Sequence, residues 1–302
     1  MRSMKMMKYG FLTMFALVVL GSCNTNKETS ANDQMIEQAF FKERDNFFNA
    51  ISTPDETAAS IRRLGAEFNP SLMHDPLLWG MYTTSKEKAA AALGIYISDL
   101  NYSVAFGQTE YTTALFDAVH NLSLKVGVEK QILEFLLTRY KNNIEQNDSV
   151  KHTLNQMYAR AMQTVKGTEN EIMIGITIGT HQIEDLHLMM GIIKTYPKDI
   201  LPDDVRLEVL VPLFQTVLNE RPTIETVNEF IKAVIKYSPP VSDNSHQEYY
   251  LNAFEDLVET YRRLTVEEKI RENRGMELVS DAVVLELDSK VEAIRSKVIS
   301  PE

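Results

Sequence analysis

One cysteine, one tryptophan, twelve glycines and ten prolines in 302 residues exclude several architectures at once. A lone cysteine allows no internal disulfide framework and no cysteine-rich zinc site. So few glycines and prolines disfavour an all-β sandwich, whose many tight turns consume both. A basic excess is also missing. The chain carries 31 lysines and arginines against 42 aspartates and glutamates, a net charge of −11, whereas a nucleic-acid binder needs a basic face. No Gly-x-Ser-x-Gly elbow, Walker loop or Gly-x-Gly-x-x-Gly occurs, so serine-hydrolase and nucleotide chemistry have no handle. What is abundant is apolar material: 44% of the residues are hydrophobic, enough for a packed core.

The amino terminus reads as an address. Arg2, Lys5 and Lys8 form a positive start, and Phe11 to Leu20 is an apolar run too short for a comfortable membrane span. Leu20-Gly21-Ser22-Cys23 resembles the lipobox of bacterial lipoproteins. That resemblance implies cleavage before Cys23 and a diacylglyceryl group, with acyl chains such as palmitate, on its thiol. The expected organisation is a signal peptide over 1–22, a lipidated cysteine and polar tether over 23–33, and a single α-helical domain over 34–302. Losing the leader removes three positive charges from an already acidic chain. The anchor is therefore the acyl chains and not a polybasic patch. Asn24, where enterobacterial sorting rules would place aspartate for inner-membrane retention, points to the outer membrane; which side of it the body faces stays open.

Beyond the tether the dominant period is helical. Met35 to Ala50 forms one expected helix, and Pro54-Asp55-Glu56 starts a short second one. Asn69-Pro70 and Asp75-Pro76 mark a loop, with Trp79 a candidate exposed contact. Ser85 opens a long alanine-rich helix, and Gly107 separates it from another over Thr109 to Lys125. Stripes at helical spacing follow over Leu133 to Ile144 and Val150 to Val165, with Asn147-Asp148-Ser149 as the turn between them. Further stripes run over Ile224 to Val234, Tyr250 to Tyr261 and Val266 to Ile299. Ile172 to Ile193 is apolar on all sides yet interrupted by His181, Glu184, Asp185 and His187, which lipid would not tolerate; it reads as the buried central helix of a soluble bundle. Its Gly175-x-x-x-Gly179 spacing would let a neighbouring helix, such as the one carrying Gly94, come close. The fold class is all-α, a bundle of about nine or ten helices, with a division into two lobes near Pro197 left open.

Two resemblances attach to particular residues. Leu93-Gly94-Ile95-Tyr96, Ser98-Asp99-Leu100-Asn101-Tyr102, Asn147-Asp148-Ser149 and Ile183-Glu184-Asp185-Leu186 resemble a group of helical Bacteroidota lipoproteins with no assigned chemistry. The likeness covers roughly Tyr82 to Ile193 and implies an all-helical, lipid-anchored protein. Gly179-Thr180-His181-Gln182-Ile183-Glu184 resembles the GxHxxE pattern of imelysin-like proteins, which implies a link to iron uptake; the Trp-x-x-Ala-Arg segment of that family is absent.

The same stretch holds the best candidates for chemistry. Glu184 and His187 are three apart on a helix and His181 and Asp185 four apart, so each pair can share a face. Carboxylate and imidazole together suit iron or zinc. Asp117-x-x-His120 repeats the Glu-x-x-His spacing and could supply a second pair from a neighbouring helix. The metal reading therefore names His181, Glu184, His187, Asp117 and His120. The competing reading is a polar seam that fixes helix register. His74, His152 and His246 are expected at the surface or at helix ends. Two functions stand at this point. One is a membrane-tethered, non-enzymatic binding or scaffold module with an envelope protein partner. The other is an iron- or zinc-binding lipoprotein.

Overall fold

The structure, a computed structural model, describes residues 31–50, 56–128, 152, 156, 171–196, 202–237 and 245–300. Among them all regular secondary structure is helical. The helices are α1 (Ala31–Ala50), α2 (Glu56–Arg63), α3 (Lys86–Ala105), α4 (Thr109–Val126) and α5 (Glu171–Thr195), then α6 (Asp203–Asn219), α7 (Arg221–Tyr237), α8 (Ser245–Arg262), α9 (Val266–Arg271) and α10 (Ala282–Ile299). Short 3-10 turns cover Pro70–Leu72, Pro76–Tyr82 and Gly275–Ser280. This is the all-α multi-helix bundle that the periodicities imply. The leader with Cys23, and the Leu133–Ile144 and Val150–Val165 stripes with the turn between them, lie outside the described residues apart from His152 and Gln156.

Local signals set the helix ends. Ser85 caps α3 by accepting from the Lys88 amide at 3.1 Å. Gly127 closes α4 in the left-handed region at φ 111°, where its amide reaches the Ser123 carbonyl. Asp281 starts α10 by accepting from the amides of Val283 and Val284 at 2.8 and 3.0 Å. The Val266–Ile299 stripe is not one helix. Asn273 takes φ 58° and the chain turns there, so the stripe divides into α9, a 3-10 turn and α10. The first helix begins at Ala31, inside the segment expected as tether.

The centre of the bundle is α5. From Glu171 to Ile193 only Gln182 escapes full burial, as an apolar-all-round helix requires. Helices α3, α7 and α10 pack against it. The contact with α3 is backbone to backbone. A Cβ on Gly94 would lie 2.2 Å from the Thr177 carbonyl oxygen and 2.1 Å from Thr180 Oγ1. Gly175 and Gly179 do something different from what their spacing suggests. They leave room for the rings of Phe230 on α7 and Phe254 on α8, not for α3. Phe230 in turn stacks on Phe47 of α1, ring centroids 3.9 Å apart, so the two outer helices reach the core through one aromatic pile.

Candidate functional site

Three of the five residues in the expected metal set lie on α5, and each is turned to a different partner. Glu184 is fully buried and receives a two-pronged grip from Arg295 on α10, Nε to Oε2 at 2.6 Å and Nη2 to Oε1 at 2.9 Å. His187 places Nδ1 2.6 Å from Glu292 Oε1 and Nε2 3.0 Å from the Leu72 carbonyl oxygen. His181 sits 3.3 Å from Asp185 on its own helix, and Asp185 accepts a short hydrogen bond from Ser98 on α3. Asp117 and His120 belong to α4, which packs on α3 and the 76–82 turn; Asp117 is exposed. Among the described residues no three histidine, cysteine, aspartate or glutamate side chains are grouped so as to hold a metal ion. The five expected ligands are thus not brought together in one group. Shared helical spacing put Glu184 and His187 on one face, but the opposing helix meets that face with an arginine and a glutamate of its own.

What the residues build instead is a continuous polar seam between α3, α5, α10 and the 69–82 segment. The Leu72 carbonyl is its hub, accepting from His187 and also from Arg295 Nη2 at 3.3 Å. Gly191 makes room for the Leu72 side chain, which lets the loop settle on α5. One turn further on, the His74 amide donates to Asp99 Oδ2 at 2.9 Å, and Tyr96 donates to the Asp75 carbonyl at 2.9 Å. The Tyr82 hydroxyl donates to the Ile299 carbonyl at 3.0 Å, tying the loop to the end of α10. Because that phenol proton is committed, the 2.7 Å contact with His74 Nε2 must be donated by the ring. This fixes the neutral Nε2–H tautomer. The electrostatics agree: burial, and then the Arg295 charge, lower the His74 pKa to about 4.

His74 is therefore a half-buried member of the seam and not the surface loop residue expected for it. His152 is exposed, with its ring against the Gln156 amide at 2.9 Å; the His246 side chain lies outside what is described. Trp79 also differs from its expected role. Its ring packs partly against the core, while Leu77 beside it is 80% exposed.

Asp99 is the seam's least expected member. It is fully buried next to the Glu184 carboxylate, and among the described residues its Oδ1 has no hydrogen-bond partner. Burial first, and then Glu184, raise its pKa well above the usual carboxylate range against the opposing pull of the His74 amide and Arg295. A proton retained there avoids two adjacent buried anions. A raised folded-state pKa adds stability below the unfolded value, near 3.9, and that contribution is lost as pH rises toward the folded one. Asp99→Asn keeps an acceptor for the His74 amide and cannot ionise. The variant should therefore gain on the wild type steadily as pH rises above about 4, by up to about 1.4 kcal/mol per unit. Urea unfolding of both proteins between pH 4 and 8 measures the gain, and a pH-independent difference would contradict it. His74 contributes in the opposite sense between about pH 4 and 6.5, and that contribution cancels in the comparison.

His181 remains apart from this network. Its approach to Asp185 lacks hydrogen-bond geometry, so among the described residues neither buried ring nitrogen has a hydrogen-bond partner. Burial works to lower its pKa, yet Asp185 outweighs it and the pKa is raised.

No protein-family model, curated protein or solved structure matches the chain. The residues that sequence reasoning missed, Asp99, Glu292 and Arg295, share one trait: their partners lie on other elements, far away in sequence. Arg295 and Glu184 are 111 positions apart, a pairing that no local spacing announces.

Proposed function

We propose that the protein is a lipid-anchored helical lipoprotein of the bacterial outer membrane, held by a diacylglyceryl group on Cys23, and that its helical body is a non-enzymatic binding or scaffold module for an envelope protein. The observation that carries the non-enzymatic reading is the commitment of the candidate residues. Glu184 is held by Arg295, His187 by Glu292 and the Leu72 carbonyl, and Asp185 by Ser98. Groups spent on joining helices are not free to bind a metal or to transfer a proton to a substrate. The anchor rests on the charged start, the apolar run and the Leu20-Gly21-Ser22-Cys23 lipobox. No described helix is long and apolar enough to cross a membrane.

Expression of the full chain and of Cys23→Ser in a lipoprotein-processing bacterium, with an alkyne-bearing palmitate, tests this. The wild type should take up the label and sediment with the membranes, and Cys23→Ser should do neither. Crosslinking in the same cells should recover an envelope protein with the wild type only. An unlabelled wild type, or label persisting in Cys23→Ser, refutes the anchor; crosslinks no richer than those of Cys23→Ser refute the scaffold.

A further inference from the structure

At one corner of the bundle the turn from α6 to α7 meets the turn from α8 to α9, and the two leave a cleft of about 450 Å³. That volume falls in the range of small-ligand sites. Leu218 and Leu264 contribute apolar surface to it, and Tyr261 lies beneath them. Tyr261 is fixed, because its ring is buried and its hydroxyl is spent on the Val217 carbonyl at 3.0 Å. Charge of both signs lines the same cleft: Arg221 and Arg271 with Glu267 and Glu268.

The pairing of these charges sets the cleft apart from the surface around it. Nearby arginines are matched, Arg262 to Glu259, Arg263 to Glu286 and Arg274 to both Glu272 and Glu277. Arg271 follows Glu267 by four residues and Glu268 by three, the spacings at which helical ion pairs form. Yet among the described residues Arg271 pairs with neither glutamate and with no other carboxylate, and neither glutamate finds a different cation. Among the described residues Arg221 donates only its Nε, to Glu225 at 2.9 Å, and so uses one of its five guanidinium donors there. The cleft thus presents unspent donors and acceptors over apolar ground.

We propose that this cleft binds short peptides with free termini. The terminal carboxylate takes the guanidinium of Arg271, the terminal ammonium takes Glu267 or Glu268, and a side chain lies against Leu218 and Leu264. Opposite charges on one rim disfavour polyanions such as nucleotides, which the two glutamates repel. They equally disfavour a simple cation, which Arg271 repels. A peptide with free termini carries one charge of each sign and a side chain for the apolar ground beside them. This inference is independent of the lipid anchor and of the seam.

Isothermal titration of the detergent-solubilised full chain with alanyl-leucyl-alanine tests it. Saturable binding is expected, weakened about tenfold or more by C-terminal amidation or N-terminal acetylation, since each removes a charge-assisted hydrogen bond. Arg271→Gln should weaken the free peptide by a similar factor and leave the weaker affinity of the amidated peptide unchanged. Arg271 is exposed, and an unaltered thermal transition verifies that this variant is folded. Absence of saturable heat, equal affinity for free and amidated peptide, or wild-type affinity in Arg271→Gln would each overturn the proposal.

Discussion

Replacing Arg295 with leucine is expected to lower the unfolding free energy by about 3–5 kcal/mol, the cost of leaving a buried carboxylate without its counter-charge. Few single substitutions should do more damage. Glu184 has no exposed surface, so water cannot take over the role of the guanidinium. The loss extends beyond one pair, because Arg295 Nη2 also reaches the Leu72 carbonyl that anchors the 70–72 turn. Restoring charge alone is not enough. Arg295→Lys supplies an ammonium but not the planar fork that engages both carboxylate oxygens, so its stability should fall between the wild type and the leucine variant. Adding Glu184→Leu to Arg295→Leu removes the stranded charge and should recover most of the loss. Denaturant unfolding of the wild type, Arg295→Leu, Glu184→Leu and the double variant forms a double-mutant cycle, and a coupling energy of about 1 kcal/mol or more is expected. A smaller coupling would mean that the pair sits in the core without holding it.

The second large effect is expected at Gly94. Alanine is the better helix former by about 1 kcal/mol in an exposed helix, so a naive reading makes Gly94→Ala stabilising. In this fold the new methyl would meet the Thr177 carbonyl oxygen at 2.2 Å and the His181 amide nitrogen at 2.6 Å. Both are backbone atoms of the central helix and cannot swing aside as a side chain could. Helices α3 and α5 would have to separate along their contact, with a loss of about 3 kcal/mol or more, the upper end of overpacking costs. Separation would also strain the Thr177 hydroxyl bond to the Ala90 carbonyl and the Ser98–Asp185 bond, which cross the same interface. Gly80→Ala provides the control, since nothing lies within 4 Å of its added Cβ. Thermal unfolding should show a large fall in Tm for Gly94→Ala and almost none for Gly80→Ala. Equal transitions would mean that the two helices are not held in backbone contact.

The helical architecture was legible because its signals are local. Ser85 as a cap, Gly107 as a break and the all-round apolar face of α5 each announce themselves within one or two turns of chain. The divided tail was legible in principle, since Asn273 and Gly275 are the residue types that permit a left-handed turn, but the charged and aliphatic rhythm across them masks the break. The site was harder. Glu184 and His187 carry a metal-like spacing, and that spacing reports only which side chains share a face. What waits opposite that face depends on packing between helices far apart in sequence, and there stood Arg295 and Glu292. His74 illustrates the same limit. The Asn69-Pro70 and Asp75-Pro76 signals correctly placed it in a loop, but nothing local says that the loop folds back onto α3 and buries its ring beside Tyr82 and Tyr96. The glycines of α5 were read correctly as sites of close approach, yet the partners that approach are aromatic rings from α7 and α8.

The account's central claim is that these buried polar residues hold helices together and do not hold a metal. The most direct measurement repeats the Arg295–Glu184 cycle on the full chain, once in chelator and once in excess zinc or ferrous iron. A metal bound only by the folded protein would raise its stability by mass action. The account predicts the same unfolding free energy and the same coupling in both conditions. A wild type stabilised by the metal, with that stabilisation lost when Glu184 is replaced, would contradict it and make Arg295 an occupant of a cation site.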